Sequence, residues 1–220
     1  MTNEELRKIL EVHKLWLDDD VEGKRADLKD VDLQCADLQG VDLSHVNLQG
    51  ANLKGANLYQ ANLKDTDLRY ADLRDADLRG ANLIYAKLEH ARLCNIQLKG
   101  AKLKGTNLTG AELKGIDLRN TNLYFANLQG ADLRGANLEG ANLEGANLNF
   151  ADFYGASLEN ANLMNAKLIC TLLHNTKLIG ARLKGANLER ADLRGANLEN
   201  ANLLQANTNG VKGLKIYSID

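Results

Sequence analysis

Every fifth residue from Leu28 to Leu203 is leucine, Phe153 being the one substitution, and no insertion breaks the register. The segments read ADLKD, VDLQC, ADLQG, VDLSH and so on to ANLLQ. A period of five suits neither a helix, which repeats apolar residues at i, i+3 and i+4, nor a regular strand, which repeats them at i and i+2. Within each unit the leucine and the small residue two places before it form an i, i+2 pair, as in Ala26/Leu28, Val31/Leu33 and Ala36/Leu38. Such a pair shares one face of a short extended segment. The chain must then turn before the next pair. The second residue after each leucine is often Gly, Asn or Asp, as at Gly40, Gly50, Gly55, Asn95 and Asp75. Those residues tolerate the positive φ that a type II turn requires at its third position. Each unit therefore reads as a very short strand plus a corner, and four corners close a coil of twenty residues.

On this motif the chain resembles the pentapeptide-repeat proteins, over about four-fifths of its length. The resemblance implies an all-β solenoid, a right-handed quadrilateral β-helix. At twenty residues per coil the repeat makes about nine coils. A spacing of ~4.8 Å between coils gives a rod of roughly 43 Å. A lone coil buries too little to fold, whereas a stack supports itself through neighbours. At the small position, Val31, Val41, Val46, Ile96 and Ile116 are larger than alanine, and Thr66, Thr106, Thr121, Thr171 and Thr176 are polar. These read as local packing variants.

Three segments follow: residues 1–25 as an N-terminal capping helix and linker, 26–206 as the repeat, and 207–220 as a C-terminal cap or tail. Leu6, Ile9, Leu10, His13, Trp16 and Leu17 are spaced as one face of an amphipathic helix. Thr2 and Glu5 fit a capping box, with Asn3 the alternative cap. The open end of a β-stack exposes unpaired edges and an apolar cross-section. Leu6, Ile9, Leu10, Trp16 and Leu17 are thus expected to lid the first coil. Leu214, Ile216, Tyr217 and Ile219 are expected to cover the last, or to make a dimer, as a C-terminal element does in some members of the resembled family.

There is no proline to interrupt coil-to-coil pairing. No apolar run approaches the length of a membrane span. The polar opening Met1-Thr2-Asn3-Glu4-Glu5 lacks a secretory core. Cys35, Cys94 and Cys170 are odd in number and far apart. The expected location is the cytoplasm.

The surface excludes several functions. Residues 26–206 carry 20 Lys and Arg against 21 Asp and Glu. Some proteins of the resembled family imitate B-form DNA and bind type II topoisomerases in its place. Such mimicry needs one negative charge per ~1.7 Å, about 25 over the rod. The near-neutral repeat, with acids and bases interleaved as in Asp72/Arg74, Asp132/Arg134 and Asp192/Arg194, argues against it. So does the absence of register-breaking loops. The basic residues Arg92, Lys99, Lys102, Lys104, Lys114 and Arg119 fall on different faces, so nucleic-acid binding is not expected. His90/Cys94 and Cys170/His174 offer two ligands each, fewer than a zinc site takes. No cofactor, metal or catalytic group is expected.

The informative departures are apolar side chains on the outside. Ile84, Tyr124, Met164 and Leu204 recur at one corner of every second coil, with Tyr85 and Phe125 beside them. Phe150, Tyr154, Ile169 and Leu172 gather with Cys170 in a second cluster, and Leu172 replaces the usual outward Asp or Asn. Exposed apolar patches can mark interaction surfaces. The expected function is a non-enzymatic scaffold that binds another protein or a copy of itself, with topoisomerase modulation as the alternative.

Overall fold

The computed structural model of the chain describes residues 1–214. It holds one α-helix, α1 (Asn3–Leu17), and then the repeat. Two compact units partition the chain, one spanning Met1–Ala111 and the other beginning at Glu112. Ile216, Tyr217 and Ile219, expected to cover the last coil, lie outside the described residues.

In both units the outward residue of each repeat pairs in parallel with the residue twenty places on. The first unit has the ladders Asp27–Asn47–Asp67–Lys87–Asn107, Asp32–Asn52–Asp72–Arg92, Asp37–Asn57–Asp77–Gln97 and Asp42–Asn62–Asn82–Lys102. The second carries four more, among them Glu112–Asp132–Asp152–Leu172–Asp192–Lys212. Four ladders and a twenty-residue step define a four-sided β-helix. The expected short strands prove shorter still, each side pairing through a single bridged residue. Corners every five residues leave room for no more.

The bonding of one five-residue repeat recurs inside each of the two compact units. The Leu28 N–H donates to the Asn47 carbonyl at 2.7 Å, and the Asn47 N–H donates back to the Ala26 carbonyl at 3.3 Å. The Val31 N–H donates to the Leu28 carbonyl at 3.3 Å and closes the corner. The third residue of every corner, from Asp30 to Gly210, has positive φ, as this turn demands. Leucines and alanines point inward, and Phe153 takes its place among them fully buried. The buried threonines give carbonyls inside the coil a second donor beside the corner N–H. Thr66 and Thr171 hydroxyls donate to the Leu43 and Leu148 carbonyls at 2.7 and 2.9 Å.

The preference for Asp or Asn before each leucine has a local cause. The carboxylate or amide oxygen accepts the N–H two residues on, as Asp42 does from Ser44 at 2.9 Å. The amide also reaches the preceding coil. Asn47, Asn52, Asn57 and Asn62 each donate from Nδ2 to the Asp directly before them in the ladder, at 2.7 to 3.0 Å. These side chains brace corners and coils, and so are committed to the fold.

Helix α1 starts at the Thr2/Glu5 capping box, with both reciprocal bonds formed and Thr2 as the cap. It ends at Asp18, and the return segment crosses close to its last turn. A Cβ at Gly23 would fall 2.2 Å from the Trp16 amide nitrogen, so only glycine fits there. Leu28, Leu33, Leu38 and Leu43 of the first coil are all buried, whereas Leu198 and Leu203 near the end of the described chain are half-buried. The backbone keeps the repeat register through Lys212, with Thr208 in the leucine place.

Candidate interaction surface

Among the described residues, no group of three His, Cys, Asp or Glu could hold a metal ion. The cysteines are free. No helix of the described chain is long and apolar enough to cross a membrane. Surface charge is paired in place. Arg69, Arg74, Arg79, Arg119, Arg134 and Arg194 each fold back onto the Asp two residues earlier, at 2.5 to 2.7 Å. These guanidinium bonds hold each partner carboxyl below its usual range, and that of Asp192 falls to about 2.

The sequence-selected apolar residues divide by exposure. In the first unit Tyr85 is exposed and Ile84 half-buried. In the second, Phe125, Phe150, Tyr154, Leu172 and Leu204 are exposed, whereas Tyr124, Met164 and Ile169 are half-buried. Several of them are occupied in packing along the corners. The rings of Tyr85 and Phe125 lie where a Cβ on Gly105 or Gly145 would go, so each ring covers the glycine of the next coil. Tyr124 meets Phe125 edge-on at 4.4 Å between centroids. Arg182 donates to the Met164 sulfur at 2.9 Å.

The second cluster is built differently. Leu172 sits in a ladder between Asp152 and Asp192 and is 42% exposed. Phe150 and Tyr154 stand at the two corners that flank the same wall one coil earlier, at 57% and 54% exposure. Charged groups edge the patch. Arg134 contacts Asp132 and Asp152, and Asp192 binds both Arg194 and His174, the latter at 3.2 Å. An apolar centre with paired charges at its margin matches the anatomy of a protein interface. Sequence reasoning found the cluster through Leu172 in an outward place.

Two features escaped that reasoning. Tyr70 stacks on His90 at 5.3 Å, across one coil step, and no periodic signal marks the pair. His13, read as one more residue on the apolar face of α1, is fully buried and hydrogen-bonds at both ring nitrogens. Of the helix residues expected to lid the first coil, Leu6 is buried and Ile9, Leu10, Trp16 and Leu17 are half-buried.

A four-sided β-helix built of five-residue units defines a class, and the comparisons agree with it. The family model described as pentapeptide repeats matches in eight copies, at residues 24–60, 61–100, 96–135, 131–168 and 171–207. The chain belongs to the pentapeptide-repeat family. Among solved structures it is similar to HetL of the cyanobacterium Nostoc sp. strain PCC 7120, a pentapeptide repeat protein involved in heterocyst differentiation regulation. Identity is 33%, over 91% of this chain and 94% of HetL, with a TM-score of 0.47. It is also similar to Rfr23 of the cyanobacterium Cyanothece 51142, at 38% identity over 44% of this chain and 63% of that one, TM-score 0.25. The plasmid-mediated fluoroquinolone resistance protein QnrB1 is 17% identical over 88% of this chain and 94% of its own, TM-score 0.40. No curated protein sequence matches the chain.

Proposed function

We propose that this protein is a non-enzymatic scaffold of the cytoplasm whose rigid wall binds a protein, either a partner or a second copy of the chain. The unbroken five-residue register supports about nine coils, wound right-handed as in the family, with α1 as the N-terminal cap. One observation carries the binding role. Phe150, Tyr154 and Leu172 are exposed together along one wall, and Leu172 takes a place where Asp or Asn in most repeats braces the fold through side-chain hydrogen bonds. The same wall offers pre-formed apolar area on a rigid support, which lowers the ordering cost of association.

A photo-crosslinking residue at position 154, introduced in the native cell, should capture a defined protein or a second copy, and Leu172→Asp should abolish the capture. Strictly monomeric behaviour in light scattering, together with no crosslink at position 154, would refute the proposal. Modulation of a type II topoisomerase by DNA mimicry has the in-place Asp–Arg pairs against it, since they neutralise the ladders that would imitate phosphates. A supercoiling assay unaffected by excess protein would remove it.

A further inference from the structure

We propose that His13 is a pH-sensitive latch: a proton taken up at its Nδ1 frees α1 from the first coil and uncovers the apolar end of the repeat.

The geometry fixes the resting tautomer. The Ala26 N–H can only donate, and it points at His13 Nδ1 at 3.3 Å. Nδ1 therefore carries the lone pair, and Nε2 carries the hydrogen that is donated to the Ser44 carbonyl at 2.9 Å. The ring is fully buried and stacks on Trp16 at 5.6 Å. Among the described residues it supplies both hydrogen bonds that tie α1 to the coil. A proton added at Nδ1 turns an acceptor into a donor facing another donor. The Ala26 N–H loses its partner, and a charge appears where no water reaches.

The surroundings point the same way. The groups facing His13 are Asp42, His45 and Arg25. Asp42 is occupied by the Ser44 hydroxyl, the Ser44 N–H and the Asn62 amide. Arg25 opposes a second positive charge. Burial above all, with the Arg25 charge and the neighbouring His45 ring adding less, pushes the His13 ring below the usual histidine range despite the Ser44 bond and Asp42. Contact between α1 and the coil is otherwise incomplete. A groove of about 500 Å³ separates the Leu6, Leu10 and Lys14 side of the helix from Ala36, Leu38 and Val41.

The sign of the effect follows. A histidine whose folded pKa is depressed stabilises the closed state at pH above its unfolded value, and that stabilisation is lost as pH falls. The window opens below pH ~6.5. There the closed-to-open ratio drops by up to about tenfold per pH unit until the folded value is reached.

The chain has one tryptophan, and Trp16 sits on the latch, edge-on to His45 at 6.0 Å. Between pH 7.5 and 5 its emission should shift to the red and its quenching by acrylamide should rise, with the far-ultraviolet signal of the repeat retained. The response should persist in His45→Gln, which removes a nearby titrating ring. It should vanish in His13→Gln, which keeps one donor and one acceptor but has no proton to gain. A flat Trp16 signal in the native chain, or an equal response in His13→Gln, would overturn the latch. Nitrogen NMR of the native chain decides independently of any variant: His13 should show a bare Nδ1 at pH 7.5, and the Ala26 amide should lose exchange protection by pH 5. A protonated Nδ1 at pH 7.5, or an Ala26 amide still protected at pH 5, would overturn it as well.

Discussion

Gly135, Gly145 and Gly155 occupy the same place in their repeats and share a φ of +66°. They differ in what a methyl group would meet. At Gly135 and Gly155 an added Cβ has nothing within 4 Å, whereas at Gly145 it would fall 2.9 Å from Cε1 of Phe125 and 3.1 Å from Cδ1. Alanine in this left-handed region costs about 1–2 kcal/mol. A stiffer unfolded chain returns about 0.4–1 kcal/mol. Gly135→Ala should therefore destabilise by about 1 kcal/mol. Gly145→Ala carries that strain and must also displace the ring. Phe125 is 60% exposed, so two-fifths of its surface is buried. Full burial of a phenylalanine contributes roughly 1.5–3 kcal/mol, so swinging it out loses about 1 kcal/mol more.

The expected losses are thus about 1 kcal/mol for Gly135→Ala and about 2 for Gly145→Ala. In a Phe125→Ala background the Gly145→Ala loss should return to about 1. For a chain of this size 1 kcal/mol is about 2–4 °C in melting temperature, so differential scanning calorimetry resolves the series. Guanidinium unfolding of the four proteins closes the double-mutant cycle, with a coupling of about 1 kcal/mol. Equal losses for Gly135→Ala and Gly145→Ala, or a Gly145→Ala loss that stays near 2 without the ring, would refute the view that corner aromatics are held by the glycine beneath them.

Phe153→Ala should destabilise by about 3–5 kcal/mol in denaturant unfolding, because the only aromatic in a leucine column is fully buried and its removal leaves a cavity. Thr171→Val keeps the shape but removes one of two donors to the Leu148 carbonyl, which keeps the Ala151 N–H, and a loss of about 0.5–1.5 kcal/mol should appear in the same assay. Acid titration should find Asp192 ionised well below its unfolded range. Arg194 above all holds its folded pKa to about 2, so the stability it contributes is complete above pH ~4 and is lost as pH falls toward 2. Arg194→Gln should bring the folded pKa back toward the unfolded one and so make that loss smaller, with lower stability above pH ~4. Phe150→Gly should leave stability within about 1 kcal/mol of the native chain, relief of left-handed strain offsetting lost ring burial, while crosslinking at position 154 disappears.

The coil was legible in the sequence because its rule is local. Leucine at every fifth place and a left-handed residue two places later determine each corner, and corners determine the coil. Thr2 and Glu5 gave the start of α1 for the same reason. What stayed hidden depends on the twenty-residue step between stacked neighbours. Nothing near Tyr85 announces that it covers Gly105, and nothing near Tyr70 announces the stack on His90. His13 was placed on the correct face of α1, yet its spacing fits an apolar residue equally well. Its role appears only when Ser44 is brought within 2.9 Å.

The same step separates the exposed aromatics that serve the fold from those free to do something else. Tyr70, Tyr85, Phe125 and Phe150 all adopt positive φ at corners where glycine or asparagine would sit without strain. Three of them recover that strain in packing: Tyr70 on His90, Tyr85 over Gly105, Phe125 over Gly145. Phe150 is followed in its corner column by Cys170, and among the described residues it has neither a ring nor a glycine as partner. Its ring is buried to about the same extent as that of Phe125, but it covers no glycine and meets no ring. Phe150 adjoins the wall where Leu172 keeps its backbone bonds but forgoes the side-chain hydrogen bonds of an Asp or Asn, so two departures from the repeat fall on one surface. The proposed binding surface draws on both departures at once.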